Sequence, residues 1–190
     1  YSILPDILTA FRPRHPEVQI KLITGDAASA LDRVQDGSVD ITVAALPERI
    51  PGNLESRVVT HTPLLFIGPS REGPVKEQLQ GRVDWGEVPM IFPESGLIRT
   101  HLRDWFRKKK VRPQVYGRVS GHEAIISMVS LGFGVGVIPE LVLEKSMIKT
   151  DVQVLDVRPA LPDFCVGFCA KKHMLQSPVI RAFWHTLDDV

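Results

Sequence analysis

Ser120-Gly121-His122-Glu123-Ala124-Ile125-Ile126-Ser127-Met128-Val129-Ser130-Leu131-Gly132-Phe133-Gly134-Val135-Gly136-Val137-Ile138-Pro139 is the stretch that decides the fold. Ala124, Ile125, Met128, Val129 and Leu131 recur at helical spacing, and Gly132 stands where a left-handed C-terminal cap belongs. Residues 133–139 then predict a short buried strand, with Gly134 and Gly136 admitting close backbone approach and Pro139 ending the pairing. A helix running directly into a buried strand puts Ser120, Gly121 and His122 at the start of a helix packed on a sheet. Unpaired N–H groups and the positive end of the helix dipole favour an anion there. A plain helix start capped by Ser120 accounts for the same residues.

Upstream, Ile3, Leu4, Ile7, Leu8 and Phe11 form the apolar stripe of a first helix that Pro13 closes. Residues 18–23 alternate Val18, Ile20 and Leu22 with Gln19, Lys21 and Ile23, a strand pattern. Gly25 and Asp26 turn the chain into a helix with Ala27, Ala30, Leu31 and Val34 inward and Gly37 as its stop. Residues 39–45 follow as an almost wholly apolar strand. Strand, helix and strand in that order form a crossover unit, which implies parallel strands covered by helices.

Residues 64–67 predict another strand, and from Gly68 to Gly81 the composition turns to Gly, Pro and charge, which sets a domain boundary near Pro69. Beyond it come a strand at 90–93, a helix at 98–109 with Leu102, Trp105 and Phe106 on one face, and a strand at 114–119. The helix and strand of the opening stretch follow, then a helix at 140–144 and a strand at 152–157. Pro159 and Pro162 mark a second boundary, after which come a strand at 164–170 and an amphipathic helix at 178–187. A lone strand and helix at the C-terminus need a sheet to join, and the simplest is the first. The expectation is therefore an α/β chain of two Rossmann-like lobes joined by two crossover strands: lobe I from 1–68 plus 166–190, lobe II from 69–165. Such a pair leaves a cleft, a usual place for a small ligand.

The chain has 190 residues, 44% of them hydrophobic and 24% charged, the composition of an ordinary globular protein. A net charge of +1, from 23 basic and 22 acidic side chains, supplies no global field for nucleic acid or membrane. No apolar run approaches the roughly 20 residues that a membrane span needs. The two cysteines make no disulfide framework, which fits a reducing compartment.

Leu4-Pro5 to Phe11-Arg12, His15-Pro16, Gly25, Leu31, Gly37, Asp40-Ile41, Met128-Val129, Gly132, Gly134-Val135-Gly136 and Ile138-Pro139 together resemble the effector-binding domain of LysR-type transcriptional regulators. The likeness covers nearly the whole chain. It implies a fold like the type 2 periplasmic binding proteins, an inducer in the cleft, a cytoplasmic location, and assembly as a homodimer or homotetramer. DNA would be read only through an N-terminal winged helix-turn-helix that this chain lacks, as it lacks the first strand of lobe I. Thr24-Gly25-Asp26-Ala27, Gly121-His122-Glu123-Ala124 and Trp105-Phe106-Arg107 are similar to regulators of isoleucine and valine biosynthesis within that family, which implies acetolactate or acetohydroxybutyrate as inducer. No cofactor is implied.

Candidate binding residues follow from the helix starts. Ser95, Gly96 and Arg99 begin one helix, where a hydroxyl, N–H groups and a guanidinium make a carboxylate receptor; a capped helix with solvated arginines answers to the same residues. Ser120, Gly121 and His122 begin the other, and both should open at the C-terminal ends of parallel strands, where ligands gather. Gly25, Asp26 and the backbone near Ala45 would line the opposite wall. Ile3, Ile7 and Ala10 on the first helix and Ile126, Ser130 and Phe133 around the later one are candidates for a dimer interface, or equally for core.

Other motifs carry less. Gly132 to Gly136 resembles a dinucleotide fingerprint but runs from helix to strand, the reverse of a phosphate cradle. His122-Glu123 opens like a zinc-protease motif, yet Ile126 stands where the second histidine belongs. Cys165, Cys169 and His173 are too widely spaced along a strand for one ion. Lys108-Lys109-Lys110 ends a helix, where cations complement the dipole. Nothing pairs a nucleophile with a base, so no enzyme is expected, although the fold also serves solute receptors and a few enzymes.

Overall fold

The structure is a computed structural model that describes residues 3–25 and 29–188. The chain divides into two compact units, Tyr1–His61 with Cys165–Val190, and Thr62–Phe164. In chain order the elements are α1 (Leu4–Phe11), α2 (Ala30–Asp36), β1 (Ile41–Ala45), β2 (Leu54–Thr62), β3 (Leu64–Pro69), α3 (Pro74–Gln78), β4 (Pro89–Pro93) and α4 (Gly96–Lys109). They continue with β5 (Gln114–Val119), α5 (His122–Ser130), β6 (Gly136–Pro139), α6 (Glu140–Lys145), β7 (Val152–Leu155), β8 (Phe164–Lys171) and α7 (Pro178–Thr186). No described helix is long and apolar enough to cross a membrane.

The first unit is built on the sheet β1-β8-β2. β1 runs antiparallel to β8, from Ile41 opposite Ala170 to Ala45 opposite Val166. The i, i+3, i+4 spacing of α1 turns Ile7 and Phe11 inward, and Ile7 joins Phe168, Ala170, Trp184 and Leu187 in one apolar cluster. Phe11 meets Phe183 of α7 edge-on at 5.2 Å. Arg57 ties β2 to the end of α7: its guanidinium lies over the Trp184 ring, donates to the Trp184 carbonyl at 2.8 Å, and pairs with Asp188 at 2.7 Å.

The expected strand at 18–23 does not form. Ile20, Leu22 and Ile23 are 49%, 55% and 43% exposed, and no described strand pairs with them. Alternation describes a strand with one buried face, but a strand persists only where a neighbour completes its hydrogen-bond ladder. β1 accordingly finds its partner in β8, antiparallel, and not in a parallel crossover with 18–23. β2, with its β-branched run, forms where the sequence predicts no element, and the short α3 lies within the Gly, Pro and charge stretch of residues 68–81.

The second unit holds the sheets β6-β3-β7 and β4-β5. A bridge between Met90 and Val135 joins them: the Ile91 N–H donates to the Val135 carbonyl, and the Val135 N–H to the Pro89 carbonyl, both at 2.8 Å. Of the expected strand at 133–139, only Gly136–Pro139 is paired as a strand proper. The boundary near Pro69 falls inside this unit, because β3 pairs along its length and places Pro69 opposite Val152.

α5 lies on this sheet. Ile125, Ile126 and Val129 are fully buried with Ile67, Ile91, Ile138 and Val152. Its end is a Schellman cap: Gly132 at φ 85°, the Gly132 N–H on the Val129 carbonyl at 2.8 Å, and the Phe133 N–H on that of Met128 at 3.1 Å. α4 covers another part of the unit with Leu102, Trp105 and Phe106; Trp105 packs against Phe66 and Trp85 and donates its indole N–H to the Pro159 carbonyl at 2.7 Å. Two of the residues expected at a dimer interface are consumed here. Ile7 and Ile126 are each 0% exposed inside their own units, since both lie on the inward stripe of their helix.

Helix and sheet approach closely at Gly136, where an added Cβ would fall inside van der Waals distance of Ile125 Cγ2 and within 3.1 Å of Val129 Cγ2. Gly136→Ala should therefore destabilise the chain by about 1–3 kcal/mol through overpacking. Urea unfolding checks it, and a midpoint equal to that of the parent would mean that α5 does not rest on β6 in this way.

Candidate functional site

β4 and β5 pair in parallel, with Pro93 opposite Val119, so both strands leave the sheet at the same edge. The Glu94 N–H extends the ladder by donating to the Val119 carbonyl at 2.9 Å. α4 starts two residues later and α5 starts at His122, so two helix N-termini stand at that edge. Their orphan N–H groups and dipoles both favour negative charge.

The loops themselves are tied together. The Ser120 hydroxyl donates to the Glu94 carboxylate, Oγ to Oε2, at 2.6 Å. The Arg99 guanidinium, one turn into α4, donates back to the Glu94 main-chain carbonyl. Ser95 takes the N-cap position of α4 in extended geometry, without a side-chain capping bond, and Gly96 follows at φ 88°. Glu123 in the first turn of α5 accepts a bond from the buried Ser146 hydroxyl at 3.1 Å, which pins the start of α5 to the segment after α6.

The structure thus brings Ser95, Gly96, Arg99, Ser120, Gly121 and His122 to one edge of the second unit. It corrects one role. Ser120 is not the cap of α5; Gly121 holds that position at φ 86°, ψ 142°, which an L side chain rarely adopts, and the Ser120 hydroxyl goes to Glu94 instead. Glu94 is the residue the sequence reading passed over. Its only signal was an acid placed directly before Ser-Gly at the end of an apolar strand.

The residues assigned to the opposite wall belong to the first unit. Ala45 ends β1, and Gly25 is exposed with the Arg33 guanidinium beside it. Asp26 lies outside the described residues. Cys169 is buried opposite Thr42, and burial pushes its thiol up to about 11, which keeps it an inert protonated thiol. Among the described residues no group of three His, Cys, Asp or Glu side chains is placed to hold a metal. The lysine run closes α4: Lys109 sits 4.7 Å over the Trp105 ring and Lys110 takes the left-handed position at φ 55°. A hollow of about 180 Å³ between the β3–α3 turn and the end of α5 has its charges already engaged, Lys76 with Glu72 at 2.6 Å and Arg71 on the Leu131 carbonyl at 3.5 Å.

The whole chain, residues 1–190, matches the family described as LysR substrate binding domain. It is 41% identical over 98% of its length to the HTH-type transcriptional activator IlvY of Salmonella typhimurium and to the HTH-type transcriptional regulator IlvY of Escherichia coli. It spans 65% and 64% of the length of these two relatives. Among solved structures, the effector-binding domain of QuiR in complex with shikimate superposes with a TM-score of 0.79 at 19% identity, covering 97% of this chain and 88% of that one. The BenM effector-binding domain with its effector benzoate gives 0.69 at 16% identity, covering 98% and 85%.

Gly121 separates conformational from steric demands, because nothing lies within 4 Å of an added Cβ. Gly121→Ala should cost about 1–3 kcal/mol from its positive φ alone. A thermal melt checks this. An unshifted transition would show that the turn into α5 relaxes freely.

Proposed function

The chain belongs to the LysR substrate-binding domain family, and from that premise we propose that it is the ligand-sensing part of a transcriptional regulator of branched-chain amino-acid biosynthesis, binding a small carboxylate effector at the helix starts of its second unit. The observation that carries this reading is the convergence of the α4 and α5 N-termini at the paired ends of β4 and β5, with Arg99 beside them. Two N-termini and a guanidinium together suit a carboxylate far better than a cation or a neutral solute. Shikimate, in complex with the QuiR domain, and benzoate, the effector of BenM, are both carboxylates, which supports the same class of ligand here.

Acetolactate or acetohydroxybutyrate is the effector we infer, from the 41% identity to IlvY. The protein senses and does not turn over its ligand. DNA contact belongs to an additional N-terminal domain, and assembly is as a homodimer or homotetramer. With Ile7 and Ile126 in the core, the expected interface residue that stays exposed in the second unit is Phe133, 41% exposed and stacked at 5.5 Å on Tyr116, itself 57% exposed.

Calorimetric titration with acetolactate tests the assignment: saturable binding without product formation is expected, and either no heat of binding or steady turnover would overturn it. Arg99→Ala should weaken that binding by about 1.5–3 kcal/mol, the worth of a hydrogen bond to a charged group. Unchanged affinity would remove Arg99 from the site and leave it a brace for the Glu94 carbonyl.

A further inference from the structure

The Ser120 hydroxyl has one proton, and its contact with Glu94 assigns that proton a direction. An ionised carboxylate only accepts, so in the 2.6 Å contact between them Ser120 is the donor and Glu94 the acceptor. That length is typical of a charge-assisted O–H···O⁻ bond. With its proton committed, Ser120 presents only lone pairs outward, and the unused lone pairs of Glu94 add further acceptors beside it. Both residues are exposed to solvent, so both can be reached by a ligand. The patch between the two helix starts is therefore an acceptor surface, set within surroundings that otherwise attract anions.

We infer that Glu94 is a specificity-determining residue of the proposed site, selecting carboxylates that also carry a hydroxyl over otherwise equal carboxylates that do not; this rests on the carboxylate-receptor reading above. The chemistry is one of matching. A ligand hydroxyl donates to Glu94 or Ser120 and completes the pattern. A methyl group in the same place strips water from those acceptors without replacing its bonds, and a second carboxylate is repelled by Glu94. The ligand carboxylate must then lie toward the α4 start, at Gly96 and Arg99, with its hydroxyl toward Glu94. A site without this acid would use the Ser120 proton for the carboxylate itself and lose the distinction.

The test uses two stable probes of the same shape, 2-hydroxyisobutyrate and pivalate, which differ by a hydroxyl in place of a methyl. Binding of each to the unaltered chain and to Glu94→Met is followed by NMR titration, with a thermal melt to confirm folding. The unaltered chain should prefer the hydroxy acid by about tenfold or more, as one hydrogen bond to a charged acceptor provides. In Glu94→Met that preference should collapse, and pivalate should bind more tightly than before, because the Ser120 proton is released and the repulsion is gone. A merely structural role for Glu94 predicts instead that both probes weaken together, and that result overturns the inference. Equal binding of the two acids to the unaltered chain overturns it as well, while leaving the carboxylate receptor standing. Failure of both acids to bind removes the receptor reading and this one with it. If Glu94→Met does not fold, Ser120→Ala decides: the hydroxyl preference should persist there, since Glu94 remains, and its loss would assign selection to Ser120.

Discussion

The seating of α5 on β6 is the constraint on which the second unit depends. Ile125 and Val129 approach the sheet at Gly136, where the absence of a side chain lets the helix lie against the strand. From that contact the buried set extends through Ile126 to Ile67, Ile91, Ile138 and Val152, reaching β3, β4, β6 and β7 in turn. One helix thereby touches four strands. The Met90–Val135 bridge, which joins the two small sheets, lies just before β6.

The site inherits its precision from this packing. α5 is anchored by Ile125 and Ile126 one turn in from its start, so the position of Gly121 and Ser120 follows from the core as well as from the loop. α4 is held independently by Leu102, Trp105 and Phe106, and its start is fixed by the same β4 whose Ile91 lies beneath α5. The Ser120–Glu94 bond and the Arg99 bond to the Glu94 carbonyl then cross-tie two loops whose ends are already set. Such cross-ties add little stability where they are exposed. Their consequence lies in which atoms face outward.

What the sequence made legible follows the range of the interactions. Helical stripes and caps are local, and α1, α4, α5 and α7 lie where their apolar periodicity and their Gly or Pro punctuation put them. Buried apolar runs such as β3 and β8 are legible for the same reason. Residues 18–23 failed because alternation states a demand for a partner without naming one, and the ladder depends on residues far away in sequence. β2 was missed because its alternate positions carry Glu55, Arg57 and His61, which mask the β-branched run of Val58, Val59 and Thr60. The LysR resemblance rests on a spaced set in which glycines and prolines such as Gly37, Gly132, Gly136 and Pro139 stand among apolar and polar residues. Gly132 and Gly136 are positions where the fold uses a positive φ or a close approach. The hydrogen bond that sets the polarity of the site was invisible, since Glu94 and Ser120 are 26 residues apart and neither belongs to a periodic pattern.

The two kinds of pairing in the second unit divide its work. β3 runs antiparallel to both β6 and β7 and so ends at the edge opposite to theirs, which builds a core but keeps the turn into α3 away from the starts of α4 and α5. The parallel pair β4 and β5 gathers those two starts, at the cost of a crossover helix between the strands. α4 is that crossover, which explains why the helix burying Trp105 and Phe106 also opens at the candidate site. The acceptor character of the site has the same origin. Parallel register sets Pro93 against Val119, so the next residue of each strand, Glu94 and Ser120, must stand side by side as the chain leaves the sheet. Their identities are a matter of chemistry, but their meeting is a matter of topology, and no substitution elsewhere in the loops would separate them while that register holds.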